Sequence, residues 1–244
     1  GGIADLLVEA MMKEGLTQEQ AVDRIFLFDS HGLVTKDREG LTPLKQKFAH
    51  EQEPQSTFLD AIGEVKPTAI VGCAAQAGSF NAYVLSAMAR INERPIIFAL
   101  SNPTSRSECT AREAYTYTEG KCLFASGSPF PQVEVNGKTF IPRQSNNSYV
   151  FPGIGLGLVV SSPRIVPQSV FLSAAEALSK IVSEDDLENG SLFPSLTKIR
   201  EVSQSIAAAV AEQCFTAGVA GVPKPDDLSK AIQEAMYKPV YDRI

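Results

Sequence analysis

The chain has 244 residues, 44% of them hydrophobic, which suffices for one large or two small domains with a core. Its net charge of −6 excludes a basic nucleic-acid-binding surface, and no apolar run reaches membrane-spanning length. The four cysteines form no C-x-x-C pair, which argues against zinc and disulfides and favours a cytoplasmic location. With only two histidines, a histidine-based metal site is not expected.

The first half of the chain alternates helices with short apolar strands. Apolar residues from Ile3 to Met11 recur at helical spacing, and Gly15 is suited to end that helix. The predicted strands are 24–29, 68–72, 95–100 and 122–126, with helices at 58–65 and 80–92, a capping box at Thr110 and a loop at 30–54. This order predicts βαβ units, hence an α/β, Rossmann-like parallel sheet with helices on both faces.

The pattern changes after Gly127, so residues 1–127 are predicted as a βαβ core and 128–244 as a hairpin followed by a helical part. Asn136-Gly137 is typical of a type I′ turn between the two strands of a hairpin at 133–140. Helices are predicted at 170–182, 196–217 and 227–237. The glycines of 153–157 follow no strand and have apolar neighbours, which favours a closely packed helix over a phosphate loop.

Asn102 follows the strand 95–100 and stands before a proline. Ligands of open α/β sheets bind at the carboxyl ends of strands, so this amide is a candidate for a binding crevice. An ordinary Asx turn is the alternative. The adjacent amides of Asn146 and Asn147 can both donate and accept hydrogen bonds. Together the three asparagines could converge on a small hydroxy acid, although 146–147 also reads as a polar loop.

Gly2 opens the first helix and Asp29 ends the next strand, as in the second half of a dinucleotide fingerprint. The alternative is an ordinary helix start and a strand-end aspartate in a turn, and the signal by spacing alone is weak because the first strand and the earlier glycines of the fingerprint are missing here. Bases after Asp29 suit a 2′-phosphate, as in NADP, or simply form a solvated loop; they are Lys36, Arg38, Lys45 and Lys47. The small residues 72–78 allow a cofactor to approach the backbone, or only tight packing of strand on helix.

Taken in order, these residues closely resemble the cofactor-binding domain of malic enzyme. The matching stretches are FDSHGL (28–33), KFAHE (47–51), KPT (66–68), RPIIFALSNPT (94–104), FASGSPF (124–130) and NNSYVFPG (146–153). The resemblance implies one NAD(P)-binding domain over 1–244. It also implies oxidation of (S)-malate with NADP or NAD, decarboxylation to pyruvate, a need for Mn²⁺ or Mg²⁺, and a homodimer or homotetramer.

The resemblance also assigns candidate residues. The implied cofactor-binding residues are Gly2, Asp29, Ser30, His31, Lys45, Gly72, Ala74, Ala75, Asn102 and Asn146. The implied malate-binding residues are Asn102, Asn146 and Asn147. Lys45 matches a lysine of NADP-preferring members, whereas His31 stands where many of those members have lysine, so the resemblance leaves the cofactor preference open.

In the family, the proton-transfer residues, the metal ligands and the first Rossmann strand precede the region that matches. We therefore expect no catalytic residue and no metal ligand in this chain, and a missing N-terminal domain as its partner. The expected role is the cofactor domain of an enzyme that is inactive in isolation. The alternative is a truncated, non-catalytic dinucleotide-binding or assembly module.

Overall fold

The computed structural model describes residues 1–238, which form two compact units. The first unit contains residues 1–145 and 185–192, and the second contains residues 146–184 and the chain from 193 onward. The observed boundary follows Ser145 rather than Gly127, because the hairpin after Gly127 packs into the core of the first unit through Val133 and Phe140. That residues 1–244 act as one cofactor-binding domain stays a prediction.

The helices are α1 (Gly2–Lys13), α2 (Gln18–Val22), α3 (Pro43–Lys47), α4 (Phe58–Val65), α5 (Ala82–Ile91), α6 (Ala111–Tyr117), α7 (Phe151–Ser161), α8 (Ser169–Ser179), α9 (Glu184–Glu188), α10 (Ile199–Thr216) and α11 (Leu228–Ala235). The strands are β1 (Phe28–Asp29), β2 (Gly32–Leu33), β3 (Ala69–Gly72), β4 (Ile96–Ala99), β5 (Leu123–Ser126), β6 (Val133–Val135), β7 (Lys138–Phe140) and β8 (Arg143–Gln144). Within residues 1–238, every helix is too short or too polar to cross a bilayer.

The centre of the first unit is a parallel sheet in the order β3-β4-β5-β8. Ala69 pairs with Ile96, and Ile96 pairs with Leu123. The strands β3, β4 and β5 are therefore in register, and their carboxyl ends lie at the same edge of the sheet. The buried runs predicted the three long strands correctly, and β8 escaped prediction because it has only two residues. The α/β, Rossmann-like fold class is confirmed.

The strand predicted at 24–29 is wrong in extent and in pairing. Only Phe28–Asp29 is extended, and it pairs antiparallel with Gly32–Leu33. Gly32, at a φ of +99°, turns the chain back at once, so the N–H of Val34 donates to the carbonyl of Leu27 at 2.8 Å. These local hydrogen bonds satisfy the backbone, and β1 pairs with no strand of the parallel sheet in the described part of the chain.

The region 30–54, predicted as loop, contains the short helix α3. Its signals were in the sequence: Thr42 accepts a hydrogen bond from the N–H of Lys45 as N-cap, and Pro43 occupies the first helical position. The capping box at Thr110 is confirmed, because Thr110 accepts from the N–H of Glu113 and Glu113 accepts from the N–H of Thr110 at 2.8 Å. Helices α3 and α6 therefore begin directly after their N-cap residues, Thr42 and Thr110.

In the second unit, α7 packs closely on α10. A Cβ added at Gly153 would lie 2.6 Å from Ile206 Cβ, and one at Gly157 would lie 2.7 Å from the carbonyl oxygen of Ala207. The two glycines therefore let the helices approach, which confirms the packed-helix interpretation of 153–157. The long predicted helices correspond to α8, α10 and α11, and Gly218, at a φ of +67°, follows α10 as predicted.

Candidate functional site

The candidate site of the first unit lies where β3, β4 and β5 end. Because the strands are parallel and in register, the segments that follow them start at one edge of the sheet. Gly72 is the last residue of β3, Ala74 and Ala75 follow that strand, and Asn102 follows β4. The prediction that Asn102 leaves the carboxyl end of a strand is therefore confirmed, whereas its contact with a ligand stays a prediction.

The amide of Asn102 is held at this edge by the segment that follows β5. Its Oδ1 accepts a hydrogen bond from Ser128 Oγ at 2.7 Å, and its Nδ2 donates to the carbonyl of Leu100 at 3.4 Å. Gly127 must lack a side chain here, because a Cβ would lie 2.2 Å from that carbonyl oxygen. Asn102 itself is exposed. The amide is thus oriented by its neighbours and open to solvent.

The turn after β3 is held by a buried glutamate that sequence reasoning missed. The N–H of Ala75 donates to Ser101 Oγ at 2.8 Å, and Ser101 Oγ donates in turn to Glu108 Oε1. A Cβ on Gly72 would lie 2.5 Å from the carboxyl carbon of Glu108, so internal packing accounts for this glycine. No local signal in the polar stretch around residue 108 marks it as buried.

Asp29 is the centre of a charged cluster. Its carboxylate accepts hydrogen bonds from the backbone N–H of His31 at 2.8 Å, from Arg38 Nη2 at 3.1 Å to each oxygen, and from Lys45 Nζ at 2.5 Å. Burial of the carboxyl opposes ionisation, but the bonds from Lys45, His31 and Arg38 outweigh it and hold the pKa of Asp29 well below its ordinary value. Asp29 is therefore ionised at neutral pH and lies beside two cations.

Two other bases of this region contact different acids. Lys36 Nζ lies 3.3 Å from Glu51, and Lys47 Nζ lies 2.6 Å from Asp5 on α1. The structure therefore separates the four candidate cations into a pair at Asp29 and two that face away from it. Sequence spacing could not make this distinction, because the intervening loop is irregular.

Helix α3 also connects the Asp29 cluster to the start of α1. Leu44 packs against Gly1, where an added Cβ would lie 2.9 Å from Leu44 Cδ2. The next residue, Lys45, contacts Asp29. Two consecutive residues of one short helix thus contact the amino end of the 12-residue helix α1 and the Asp29 carboxylate. Gly2 has open space around it.

Ser30 and His31 lie on the exposed side of this cluster. Ser30 Oγ lies 3.2 Å from His31 Nδ1, and the His31 side chain is 80% exposed. Both side chains are accessible to a ligand bound at Asp29. Their binding role stays a prediction.

Asn146 and Asn147 belong to the second unit. Asn146 Oδ1 accepts a hydrogen bond from the N–H of Ser148 at 2.9 Å and caps the 3-10 turn Asn147–Tyr149. Both asparagines are exposed, whereas Tyr149 is buried and its hydroxyl donates to the carbonyl of Pro194 at 2.6 Å. The convergence of these amides with Asn102 stays a prediction. Residues 1–238 hold no group of three or more His, Cys, Asp or Glu side chains placed to bind a metal.

A family model described as the NAD-binding domain of malic enzyme matches residues 1–215. The chain is 46% identical to the mitochondrial NAD-dependent malic enzyme of Ascaris suum, over all of this chain and 38% of that protein. It is 47% identical to the chloroplastic NADP-dependent malic enzyme of Zea mays, over 98% of this chain and 38% of that protein.

The human NADP-dependent malic enzyme is 46% identical, over all of this chain and 43% of that protein. The chain therefore spans less than half the length of these relatives. Among solved structures, the malic enzyme of Entamoeba histolytica aligns over 93% of this chain and 45% of its own, with a TM-score of 0.68 and 22% identity, a likeness of fold.

These relatives also correct the predicted location. The relatives from A. suum and Z. mays are named as mitochondrial and chloroplastic proteins. The inference from free cysteines to the cytoplasm was wrong, because unpaired thiols do not distinguish the cytoplasm from organelles.

Proposed function

Because the chain belongs to the malic enzyme family, as part of that family's NAD-binding domain, we propose that it is the cofactor-binding part of a larger enzyme. In this proposal the whole enzyme oxidises (S)-malate with NADP or NAD and decarboxylates the product to pyruvate and CO2. The observation that carries this proposal is the Asp29 cluster beside the start of α1. A dinucleotide needs a helix N-terminus for its pyrophosphate and an acidic residue for its adenine ribose, and α1 and Asp29 supply these two groups.

In this proposal the amino end of α1 faces the pyrophosphate. The first N–H groups of a helix lack partners within it and favour an anion. Gly2 has no side chain and open space around it, so a phosphate can approach the backbone there. Asp29, held in place by its hydrogen bonds, then accepts from a hydroxyl of the adenine ribose, with Ser30 and His31 at its exposed side.

The charges of the cluster favour NADP while permitting NAD. A carboxylate alone repels a 2′-phosphate. Arg38 and Lys45 both contact Asp29, so the three side chains together carry a net charge of +1. The cations offset the repulsion and can turn to a phosphate, and Asp29 remains available to a free hydroxyl. The family includes both NAD- and NADP-dependent enzymes, in agreement with a site that accommodates either.

The asparagines are proposed as contacts to malate and to the nicotinamide end. Asn102 lies at the sheet edge with its amide oriented by Ser128. Asn146 and Asn147 add exposed amides that suit a carboxylate and a hydroxyl. Tyr149 is not a candidate acid or base, because it is buried and donates to a backbone carbonyl.

We assign no catalytic role to this chain. We infer a need for Mn²⁺ or Mg²⁺ in the whole enzyme, but the described residues offer no matching cluster of ligands. By the resemblance to the family, the acid–base groups and metal ligands are proposed to belong to the part of the relatives' length that this chain does not cover. Assembly into a homodimer or homotetramer is likewise proposed by analogy with the family.

The test is dinucleotide binding by the full-length protein that carries this chain. Asp29→Asn keeps the shape of the side chain and removes its charge, and we expect it to raise the Kd for NAD roughly tenfold, about 1.4 kcal/mol, since a hydrogen bond to a charged acceptor is lost. Asp37→Asn, on an exposed residue of the same loop, is the matched control and should leave the Kd unchanged.

Two results would count against the proposal. Equal effects of the two substitutions would place the ribose elsewhere. Wild-type protein that binds NADP or NAD but does not reduce it with malate would instead favour the non-catalytic module.

A further inference from the structure

Glu108 is a buried carboxylate that the proposed chemistry does not use. It is 1% exposed and lies between β4 and α6. Both of its oxygens accept hydrogen bonds from one residue: Oε1 from the hydroxyl of Ser101 and Oε2 from the N–H of Ser101 at 3.3 Å. Burying a carboxylate is unfavourable unless its hydrogen bonds are made. These two bonds fix Glu108 against the end of β4.

The direction of the hydrogen bonds through Ser101 follows from the chemistry. Both side-chain oxygens of Glu108 accept from Ser101, so the Ser101 hydroxyl directs its single proton to Glu108. The lone pairs of the same oxygen then face the N–H of Ala75, which donates to it at 2.8 Å. The result is a relay from Ala75 through Ser101 to Glu108. A charged acceptor polarises the hydroxyl and so strengthens the bond that it accepts.

The relay ends on a strained turn. Ala75 has a φ of +53°, a left-handed conformation that is unfavourable for a residue with a side chain. The hydrogen bond to Ser101 holds this conformation. The backbone around Glu108 holds the rest of the loop, since the N–H of Phe80 donates to the carbonyl of Glu108 at 3.0 Å and that of Gly78 to the carbonyl of Ser107 at 3.4 Å.

We infer that Glu108 is a positioning residue for dinucleotide binding: acting through Ser101, it holds the turn after β3 in the shape that meets the cofactor. This inference rests on the proposed function. Glu108 itself touches no ligand. Gly72 is part of the same arrangement, because only a residue without Cβ leaves room for the Glu108 side chain. A turn that is already ordered before binding avoids the entropic cost of ordering a loop when the cofactor binds.

The test compares two serines in the full-length protein. Ser101 and Ser107 are both 6% exposed, and Ser107 Oγ donates to the carbonyl of Cys109 at 2.8 Å without reaching the turn. Ser101→Ala should raise the Kd for NADP at least tenfold, and Ser107→Ala less than twofold, while the two lower Tm to a similar degree. Ser101→Thr, which keeps the hydroxyl, should restore most of the affinity.

A second substitution examines the charge itself. Glu108→Gln keeps the size of the side chain and one acceptor oxygen, so the protein should fold and the affinity for NADP should fall less than in Ser101→Ala. If Glu108→Gln binds NADP as the wild type does, charge on residue 108 is irrelevant and the inference about Glu108 is wrong. Equal losses of affinity in Ser101→Ala and Ser107→Ala would mean that Ser101 contributes only to the stability of the core and does not position the turn.

Hydrogen exchange of the Ala75 amide, measured without cofactor, separates this inference from the proposed function. The amide should exchange at least tenfold faster in Ser101→Ala than in wild type, and at the wild-type rate in Ser107→Ala. Unchanged exchange in Ser101→Ala would overturn the relay. Faster exchange in a protein whose wild type binds neither NADP nor NAD would refute the proposed function while the relay stands. Faster exchange with an unchanged Kd for NADP would refute the positioning role.

Discussion

Replacing Lys45 with Gln in the full-length enzyme should weaken NADP binding and leave NAD nearly unchanged. Lys45 Nζ lies 2.5 Å from Asp29, the residue proposed to contact the adenine ribose, so a 2′-phosphate bound there comes within reach of the same ammonium group. Gln keeps much of the length and the helix propensity of the side chain and removes only the charge. The ribose hydroxyls of NAD carry no charge for Lys45 to attract.

The magnitude follows from the distance and the exposure. Two unit charges about 4 Å apart attract by about 1 kcal/mol in water and by about 4 kcal/mol at the effective dielectric constant near a protein surface. The Lys45 side chain is 37% exposed, between these limits. We therefore take about 2 kcal/mol, which corresponds to a roughly 30-fold rise in KM for NADP. Arg38 remains beside Asp29, so binding is weakened rather than abolished.

The assay is steady-state kinetics with each cofactor at saturating malate and metal. Lys36→Gln is the matched control, because Lys36 carries the same charge in the same region but faces Glu51. It should leave both KM values unchanged. Equal changes for NADP and NAD in Lys45→Gln, or a selective effect in Lys36→Gln instead, would show that the phosphate site is placed wrongly.

Three other outcomes are expected. The isolated chain should show no malate-dependent reduction of NADP or NAD with Mn²⁺ or Mg²⁺, because acid–base and metal catalysis each contribute orders of magnitude in rate; ordinary turnover by pure protein would contradict this. In the full-length enzyme, Asn147→Ala should lower kcat/KM for malate roughly tenfold to a hundredfold, about 1–3 kcal/mol, with the Kd for cofactor unchanged; an unaltered kcat/KM removes Asn147 from the substrate site. Gly157→Ala should lower the free energy of unfolding by about 1–3 kcal/mol, since its Cβ would lie 2.7 Å from the Ala207 carbonyl oxygen, whereas Gly155→Ala, with nothing within 4 Å, should be neutral or stabilising. Urea titration of both variants measures the difference, and equal stabilities would refute the packing argument.

The parts of the fold that sequence predicts well are those with a local cause. The strand 95–100 is an apolar run ended by polar residues and a proline, and the helix at Thr110 has both halves of a capping box. The strand predicted at 24–29 failed because the turn at Gly32 pairs Phe28–Asp29 antiparallel with Gly32–Leu33 instead of with the parallel sheet. Composition suggests a buried strand there, but the backbone finds partners within a few residues.

In the site, too, the features with a local cause can be predicted from the sequence, whereas the contacts between distant residues cannot. That Asn102 leaves a strand end, and that Asp29 is followed by bases, can be inferred from the order of residues. Which bases meet Asp29 cannot, because Arg38 and Lys45 are nine and sixteen residues away through an irregular loop. The role of Glu108 could not be predicted for a related reason. Nothing in the local sequence distinguishes a buried carboxylate from an exposed one, and its partner Ser101 is seven residues away.

The two carboxylates of the site differ in what a ligand can change. Asp29 is 19% exposed, and two of its partners, Arg38 and Lys45, are side chains that can turn away, so opening its contact with Lys45 costs about 1 kcal/mol or less, the range of surface ion pairs. Glu108 accepts hydrogen bonds from the hydroxyl and the backbone N–H of Ser101, a buried residue. Under the proposed function, a ligand therefore exchanges for the side-chain partners of Asp29, while Glu108 holds the turn whichever dinucleotide binds. Cofactor preference can then vary within this family through the residues around Asp29 without disturbing the turn that both cofactors share.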